Sequence, residues 1–491
     1  MKRPQFVQVV FPVLASLLFA TAIANAQKAG DLKIEPYVFE SAGGEKVEAE
    51  LGRLLVPENR LRPQSRLIEL AFVRFRSTSK NPSSPIIYLA GGPGGSGIAT
   101  ARGTRFPLFM ALREVADVIA LDQRGVGQSE SNLYCLDPVD YPADKAPDRQ
   151  ELLDSFRKIS RTCAERFRKD GVDLEGYNTK ESADDLEDLR KALGAKRICL
   201  WAISYGTHLS LATIERHESS IDRMILAGVE GLTQTIKLPS NIQRHLEQID
   251  RLVKNDPELA KDVPDFLGLM ERVLGQVERE PAAVEITDTR TQKKTKVMVN
   301  KLTLQILTAQ SFGGGEASLP AFFYAMSKGD FSDAARGWMD FISGGLSHLG
   351  SAMAYMMDCY SGLSAARRWQ IEEEAKTCLL EDIIDLPHPY VCDAWGNPDL
   401  GDAFRREPKS KIPALFISGT FDVRTPVSNA VEVRGGFPNS EHLIIEGAVH
   451  SDPLFLSSPQ IKEVMLEFLK GQKISTTRIV LPPLKFEPLK K

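Results

Sequence analysis

One short run constrains the fold more than any other: Ile198-Cys199-Leu200-Trp201 leading into Ala202-Ile203-Ser204-Tyr205-Gly206-Thr207. An apolar, strand-like stretch passes directly into small-x-Ser-x-Gly, and a helix-compatible segment follows. That order describes a tight strand-to-helix turn that lifts a serine hydroxyl above a sheet. Both neighbours of the serine must be small because the strand and helix backbones approach closely there. Gly206 meets the need fully and Ala202 nearly, since glycine is the usual first residue. Five-residue patterns recur by chance, so the turn takes its weight from a base, an acid and an oxyanion-binding loop elsewhere in the chain.

The surrounding pattern fits a sheet. From about residue 32 to residue 231, short apolar runs alternate with amphipathic stretches, the signature of an α/β fold with parallel strands covered by helices. Pro85-Ile86-Ile87-Tyr88-Leu89-Ala90, Val118-Ile119-Ala120-Leu121 and Met224-Ile225-Leu226 read as further strands. Between Ser182 and Gly194 the pattern is helical, with Leu186, Leu189 and Leu193 on one face; Thr179 or Ser182 can cap its start and Gly194 can end it. Residues 232–404 read as mostly helical, with Pro-rich breaks and few strand-like runs. Strands return at Ala414-Leu415-Phe416-Ile417 and His442-Leu443-Ile444-Ile445, before a closing helix over about 459–469. A helical insert between sheet strands is most simply a cap over the C-terminal edge of the sheet, where open α/β sheets bind ligands. The expected organisation is a core in two parts (27–231 and 405–475), a helical cap (232–404) and an extended surface tail (476–491).

Lys2 and Arg3 precede an apolar run over residues 6–23 that ends in Ala24-Asn25-Ala26. This pattern is a signal peptide, 1–26, with the mature chain starting at Gln27. The alternative is an uncleaved anchor, for which the run is of marginal length. Export to the periplasm or beyond the cell is the expectation, with no stable membrane span after cleavage. A net charge of -4 without a basic cluster argues against a nucleic-acid partner. Export permits disulfides among the six cysteines. Cys199 lies inside an apolar strand and reads as a buried free thiol, so at least one of the other five is also unpaired. Sequence alone does not assign the bridges; closeness in the chain favours Cys135 with Cys163, and Cys359 with Cys392 is the second expected pair. No Cys/His spacing resembles a zinc site.

An acid is wanted at the end of a late strand. Phe416-Ile417-Ser418-Gly419-Thr420-Phe421-Asp422 supplies strand, glycine turn and carboxylate. The alternative is a turn-forming aspartate; Asp402 is weaker because no strand precedes it. A base is wanted after the last strand, and Ile444-Ile445-Glu446-Gly447-Ala448-Val449-His450 supplies it, from only seven histidines in the chain. His208 packs or caps one turn past Ser204, His442 begins a strand, and His217, His245, His348 and His388 lack the right flanks. Ala90-Gly91-Gly92-Pro93-Gly94-Gly95-Ser96-Gly97 follows a strand and can aim backbone N–H groups at one spot. A phosphate loop is the rival reading, but no Gly-Lys-Ser/Thr follows. The expected oxyanion donors are the amides of Gly92 and Tyr205. Asp122-Gln123-Arg124-Gly125-Val126-Gly127-Gln128-Ser129 has the wrong order for a nucleotide loop and reads as a structural turn, with Asp122 or Arg124 bonding neighbouring loops.

Taken together these segments resemble the exported α/β-hydrolases of the proline iminopeptidase and tripeptidyl-aminopeptidase family. The matching motifs are Gly-Gly-Pro-Gly-Gly at 91–95, Asp-Gln-Arg-Gly-x-Gly-x-Ser at 122–129, Ser-Tyr-Gly-Thr at 204–207, Ser-Gly-x-x-Asp-x-x-Thr-Pro at 418–426, and His450. Cys359 and Cys392-Asp393-Ala394-Trp395 also resemble the C-terminal part of these enzymes. The likeness spans almost the whole mature chain and is thin within the cap. The order Ser204, Asp422, His450 is that of the α/β-hydrolase triad. Three departures stand out: Ala90 replaces the usual histidine, Ala202 the first glycine of the turn, and Leu226-Ala227-Gly228 the usual Leu-Asp-Gly. The first and third weaken a claim to proline specificity.

The implied reaction is hydrolytic acyl transfer on a peptide or small ester, with no metal or organic cofactor. An aminopeptidase also needs a carboxylate for the substrate's free amine. Glu230 is the candidate, against a structural salt-bridge or capping role; Asp358 and the Glu372-Glu373-Glu374 run are weaker. A carboxylesterase with the same triad is the alternative. A catalytically dead hydrolase fold that binds a partner would require a broken triad.

Overall fold

The computed structural model describes residues 27–130, 133–137, 141–288, 291–345 and 349–489. The expected signal peptide, 1–26, and His348 lie outside the described residues.

The chain begins with β1 (Leu32–Glu40), β2 (Lys46–Pro57) and β3 (Leu67–Phe75), followed by β4 (Ile86–Leu89), β5 (Val118–Leu121) and the two-residue β6 (Tyr134–Cys135). The elbow strand is β7 (Ile198–Ser204), and β8 is Ile221–Val229. Next come β9 (Ala282–Thr287), β10 (Lys294–Val299), β11 (Gly350–Ser351), β12 (Ala414–Gly419), β13 (Ser440–Glu446) and β14 (Arg478–Val480). Ten of them form one sheet in the order β1-β2-β3-β5-β4-β7-β8-β12-β13-β14. From β5 to β14 every neighbour is parallel.

The first three strands depart from the parallel expectation. They pair antiparallel with one another, and β3 is antiparallel to β5. For β1–β2 and β2–β3 the reason is connection length: residues 41–45 and 58–66 are too few for a crossover helix, whereas antiparallel neighbours need only a turn. Between β8 and β12 the chain is mostly helical, but it also contains the β9–β10 hairpin. The tail adds β14 as a parallel edge strand beside β13, with Ile479 turned into the core. Its prolines begin only after the strand ends, so no ladder amide is lost. The helix before β7 starts a turn earlier than expected, at Thr179–Ala192. Asn178, in extended backbone, caps it by accepting from the Glu181 amide.

Alternation along β7 explains how both faces of the sheet are covered. Leu200 and Ala202 join one buried cluster, while Cys199, Trp201 and Ile203 join the other. A strand buried on both faces reads as a continuous apolar run, as this one does. Among the described residues, no helix is long and apolar enough to cross a membrane. Disulfides join Cys135 to Cys163 and Cys359 to Cys392; Cys199 is buried and free, and Cys378 is free.

Candidate active site

Ser204 ends β7 with φ 55° and ψ −128°, and the helix Tyr205–His217 begins at the next residue. A non-glycine residue at positive φ costs on the order of 1–3 kcal/mol and is kept only where its surroundings fix it. The fixing contacts are visible. A Cβ on Gly206 would lie 2.2 Å from the Leu89 carbonyl oxygen, and one on Gly91 would lie 2.8 Å from Ser204 Cβ. Glycine is therefore required at both places, while Ala202 is fully buried with its methyl accommodated. Thr207 Oγ1 donates to the Ser204 carbonyl (2.7 Å) and accepts from the Glu230 amide (2.8 Å), tying the elbow to the end of β8.

The 91–95 loop lies against this turn. Gly92 and Gly94 have φ of 122° and 95°, and the Gly95 amide donates back to the Gly91 carbonyl (3.0 Å). Tyr205 is the first residue of its helix, so its amide has no intrahelical acceptor. Behind the loop, Asp122 is fully buried and accepts from Ser96 Oγ (2.5 Å), the Ile98 amide (3.0 Å) and the Gln128 amide (2.8 Å). Burial nevertheless raises its carboxyl above the ordinary range, against those hydrogen bonds. Arg124, also fully buried, makes a two-pronged pair with Asp185 (2.7 and 2.6 Å) and donates to the Glu58 carbonyl (2.6 Å). This second glycine-rich segment is thus a brace beneath the site.

Asp422 and His450 follow β12 and β13. His450 Nδ1 is 2.8 Å from Asp422 Oδ2, with the aspartate side chain 0% and the histidine 13% exposed. Thr425 Oγ1 donates to the same Asp422 oxygen (2.7 Å) and lies 3.0 Å from His450 Nδ1. Its backbone amide and that of Arg424 donate to Asp422 Oδ1 (2.9 and 3.0 Å). Burial pushes this carboxyl up, but the His450 charge and the hydrogen bonds from His450 and Thr425 outweigh it and hold it below the usual range. The His450 ring reaches Gly228, where a Cβ would meet Cε1 at 3.1 Å, and the next residue, Val229, is the register partner of Ser204. His450 Nδ1 faces Asp422 and Thr425, and Ser204 Oγ forms no hydrogen bond among the described residues.

Four of the five other described histidines have polar or packing partners that account for them, and the fifth, His388, packs its ring on Tyr355 with Nδ1 unpartnered among the described residues. His208 is buried between the Gly231 carbonyl and Ser361 Oγ; His442 bonds Ser418 Oγ, and its imidazole is pushed down to about 4, chiefly by burial. His217 pairs with Asp184 at 2.7 Å, and His245 packs edge-on against Phe421.

Glu230 is buried (2% exposed) one residue beyond Val229, and its Oε2 accepts from Lys237 Nζ at 2.8 Å. Its Oε1 has no partner among the described residues, nor have Asp358 Oδ1 and Asp385 Oδ2. Burial and the Glu230 charge push the Asp358 carboxyl well up, and burial takes Asp385 up to about 7 against the pull of Lys237. Lys237 keeps its proton despite burial because Glu230 and Asp385 face it. Asp358 and His388 line a cavity of about 700 Å³ whose wall includes Cys359 and Cys392. Glu373 and Glu374 are bound to Lys376 and to the Ser240 amide; their helix, Ala365–Ala375, touches the cavity through Arg368, but neither glutamate lines it. Among the groups that the structure brings together, Thr425, Lys237 and Asp385 differ in how far the sequence signals them. Thr425 carried a signal in the Asp-x-x-Thr spacing; the other two carried none.

The family model described as "alpha/beta hydrolase fold" matches residues 84–455, and the chain belongs to that family. Its relatives include the tripeptidyl aminopeptidase of Streptomyces lividans, 25% identical over 433 residues, 80% of this chain and 76% of the relative. Serine protease Hip1 of Mycobacterium tuberculosis is 29% identical over 185 residues, 36% of this chain and 35% of that one. Among solved structures, proline iminopeptidase of Mycobacterium smegmatis is matched over 85% of this chain and 98% of its own, with a TM-score of 0.38 and 15% identity.

Proposed function

We propose that this α/β hydrolase is an exported serine hydrolase, and specifically an aminopeptidase releasing N-terminal residues or short peptides. The observation that carries the reading is the His450–Asp422 pair at the end of the sheet that also holds the strained Ser204. In the proposed mechanism Ser204 Oγ attacks the scissile carbonyl and His450 takes its proton. Asp422, already accepting from Nδ1, fixes the tautomer that leaves Nε2 free to act. The oxyanion forms against the amides of Gly92 and Tyr205. His450 then protonates the leaving amine, and water activated by the same imidazole releases the acyl group.

The amine preference is supported by the buried carboxyls around Lys237. Glu230, Asp358 and Asp385 leave three carboxyl oxygens unpartnered among the described residues, with Lys237 bonded to only one oxygen of Glu230. A substrate ammonium reaching Glu230 Oε1 would give that oxygen a donor. The name tripeptidyl aminopeptidase carried by relatives points the same way. The second reading, carboxylesterase, draws on the same Glu230, because its other oxygen is already ion-paired to Lys237. Comparing an alanyl or prolyl arylamide with its N-acetylated form separates the two: a strong preference for the free amine supports the peptidase, and indifference with fast ester cleavage supports the esterase.

In this proposal residues 232–404 cap a core made of 27–231 and 405–475. The contact of Ser351 and Ala354 with Gly94 supports that placement. Two disulfides agree with an oxidising compartment after export. N-terminal sequencing of protein recovered outside the cytoplasm should begin at Gln27, and an N-terminus within residues 1–26 contradicts cleavage.

A further inference from the structure

We infer that Arg105 is a positioning residue for the reaction, holding the loop that carries His450 at a fixed distance from the glycine loop and the elbow. The inference rests on the reading of His450 as the base.

Arg105 is only 4% exposed, and its guanidinium faces three different elements. Nε donates to Asp452 Oδ1 at 2.7 Å, Nη2 to Ser451 Oγ at 3.2 Å, and Nη1 to the Tyr88 hydroxyl at 2.5 Å. Its neighbour Thr104 donates to the second Asp452 oxygen. The guanidinium carbon stands 4.8 Å from the centre of the Phe455 ring. The two residues immediately after His450 are therefore held by two consecutive residues of another loop. Ser451 itself has φ 80°, a left-handed conformation that a serine adopts only where its surroundings impose it.

The other end of the clamp is anchored to the remaining catalytic pieces. Arg105 is separated from the 91–95 loop by the single helix Gly97–Arg102, whose cap, Ser96, is bonded to the buried Asp122. Tyr88 belongs to β4, which leads into the glycine loop, and its ring packs on Trp201 of β7 at 4.6 Å, three residues before Ser204. One guanidinium thus joins the strand that leads into the glycine loop to the loop that carries His450, and Tyr88 relays the contact to the strand of Ser204. Lysine could pair with Asp452 but has no planar fork to reach all three acceptors. All the contacts Arg105 makes are to protein groups that do not react, so its influence on catalysis passes through His450.

The test uses the full-length enzyme and the second-order rate of fluorophosphonate labelling at Ser204, read beside kcat and KM. For Arg105→Met the expected result is a labelling rate and kcat lowered by about 100-fold, the scale of a displacement near 1 Å, with KM within about twofold. Arg105→Lys should recover part of the loss. Folding is checked by circular dichroism. If Arg105→Met does not fold, Ser451→Ala and Asp452→Asn remove the clamp from its outer side. Each should then lower the labelling rate and kcat about tenfold in protein that circular dichroism shows to be folded, with KM within about twofold. A folded Arg105→Met, or these outer variants, labelling as fast as wild type would overturn the positioning role. Wild type that is not labelled at Ser204 would instead overturn the serine-hydrolase reading beneath it.

Discussion

Gly206 lies so close to Leu89 that a methyl group on its Cα would come within 2.2 Å of the Leu89 carbonyl oxygen. That obstacle is backbone in the middle of a sheet and has nowhere to move. The turn at Ser204 is therefore built on a contact that excludes every side chain at 206, while position 202 on the other flank holds a buried methyl. Gly206→Ala should cost about 1–3 kcal/mol or more through overpacking, with activity lost alongside. Ala202→Gly should cost under about 1 kcal/mol and keep activity. Thermal melts and turnover of the two variants check the asymmetry; equal tolerance at both positions would contradict it.

Asp422, the proposed orienting acid, makes a separate prediction. Asp422→Asn preserves the shape but can stabilise the wrong imidazole tautomer, so kcat should fall on the order of 10⁴-fold. Thr425→Val removes one donor to Asp422 and should lower kcat far less, about tenfold, in keeping with the loss of a single hydrogen bond of about 1–1.5 kcal/mol. Steady-state kinetics on folded protein decide both, and an Asp422→Asn variant of near wild-type kcat would remove Asp422 from the mechanism.

Among the described residues Lys237 is the one ammonium bonded to the buried Glu230, with Asp385 and Asp358 nearby. Lys237→Met should destabilise by about 3–5 kcal/mol, the usual cost of orphaning a buried charge. The loss should be greater at alkaline than at acidic pH. Without the ammonium the carboxyls hold protons in the native state that the unfolded chain has released, so stability falls as pH rises. Denaturant titrations at two pH values measure the difference; a pH-independent loss would contradict it.

Glu407 offers a cleaner pH signature. Burial, then the adjacent Glu432, takes its carboxyl from 4.5 up to about 7. Between those values the folded protein binds a proton that the unfolded chain does not, and stability declines across the window. Glu407→Gln lacks this decline. It should be more stable than wild type near about pH 8, by on the order of 1 kcal/mol, and equal to it near about pH 4. Urea midpoints at the two pH values test this, and a variant less stable at both would refute it.

Much of this architecture is legible in the chain because its signals are local. A strand runs into a glycine-bearing turn after Leu89, at Ser204 and before Asp422, and continuous apolar runs mark strands buried on both faces. Gly206 announces its own constraint, since the turn and its tight packing are encoded within three residues. The antiparallel start of the sheet was also encoded, in the short 41–45 and 58–66 connections. What stayed hidden depends on distant parts of the chain meeting. Nothing near Lys237 in sequence says that Glu230, Asp358 and Asp385 will surround it. Arg105 and Asp452 are brought together only by the fold, and β14 is recognisable as a strand only once β13 offers its edge.

The central claim is that Ser204 is the nucleophile, activated by His450. Labelling the purified protein with a fluorophosphonate and mapping the modified peptide by mass spectrometry tests it most directly, with Ser204→Ala as the companion. The account predicts the adduct on Ser204, no labelling of the alanine variant, and turnover lowered on the order of 10⁶-fold. An adduct on another residue, or near-normal hydrolysis by folded Ser204→Ala protein, would contradict it.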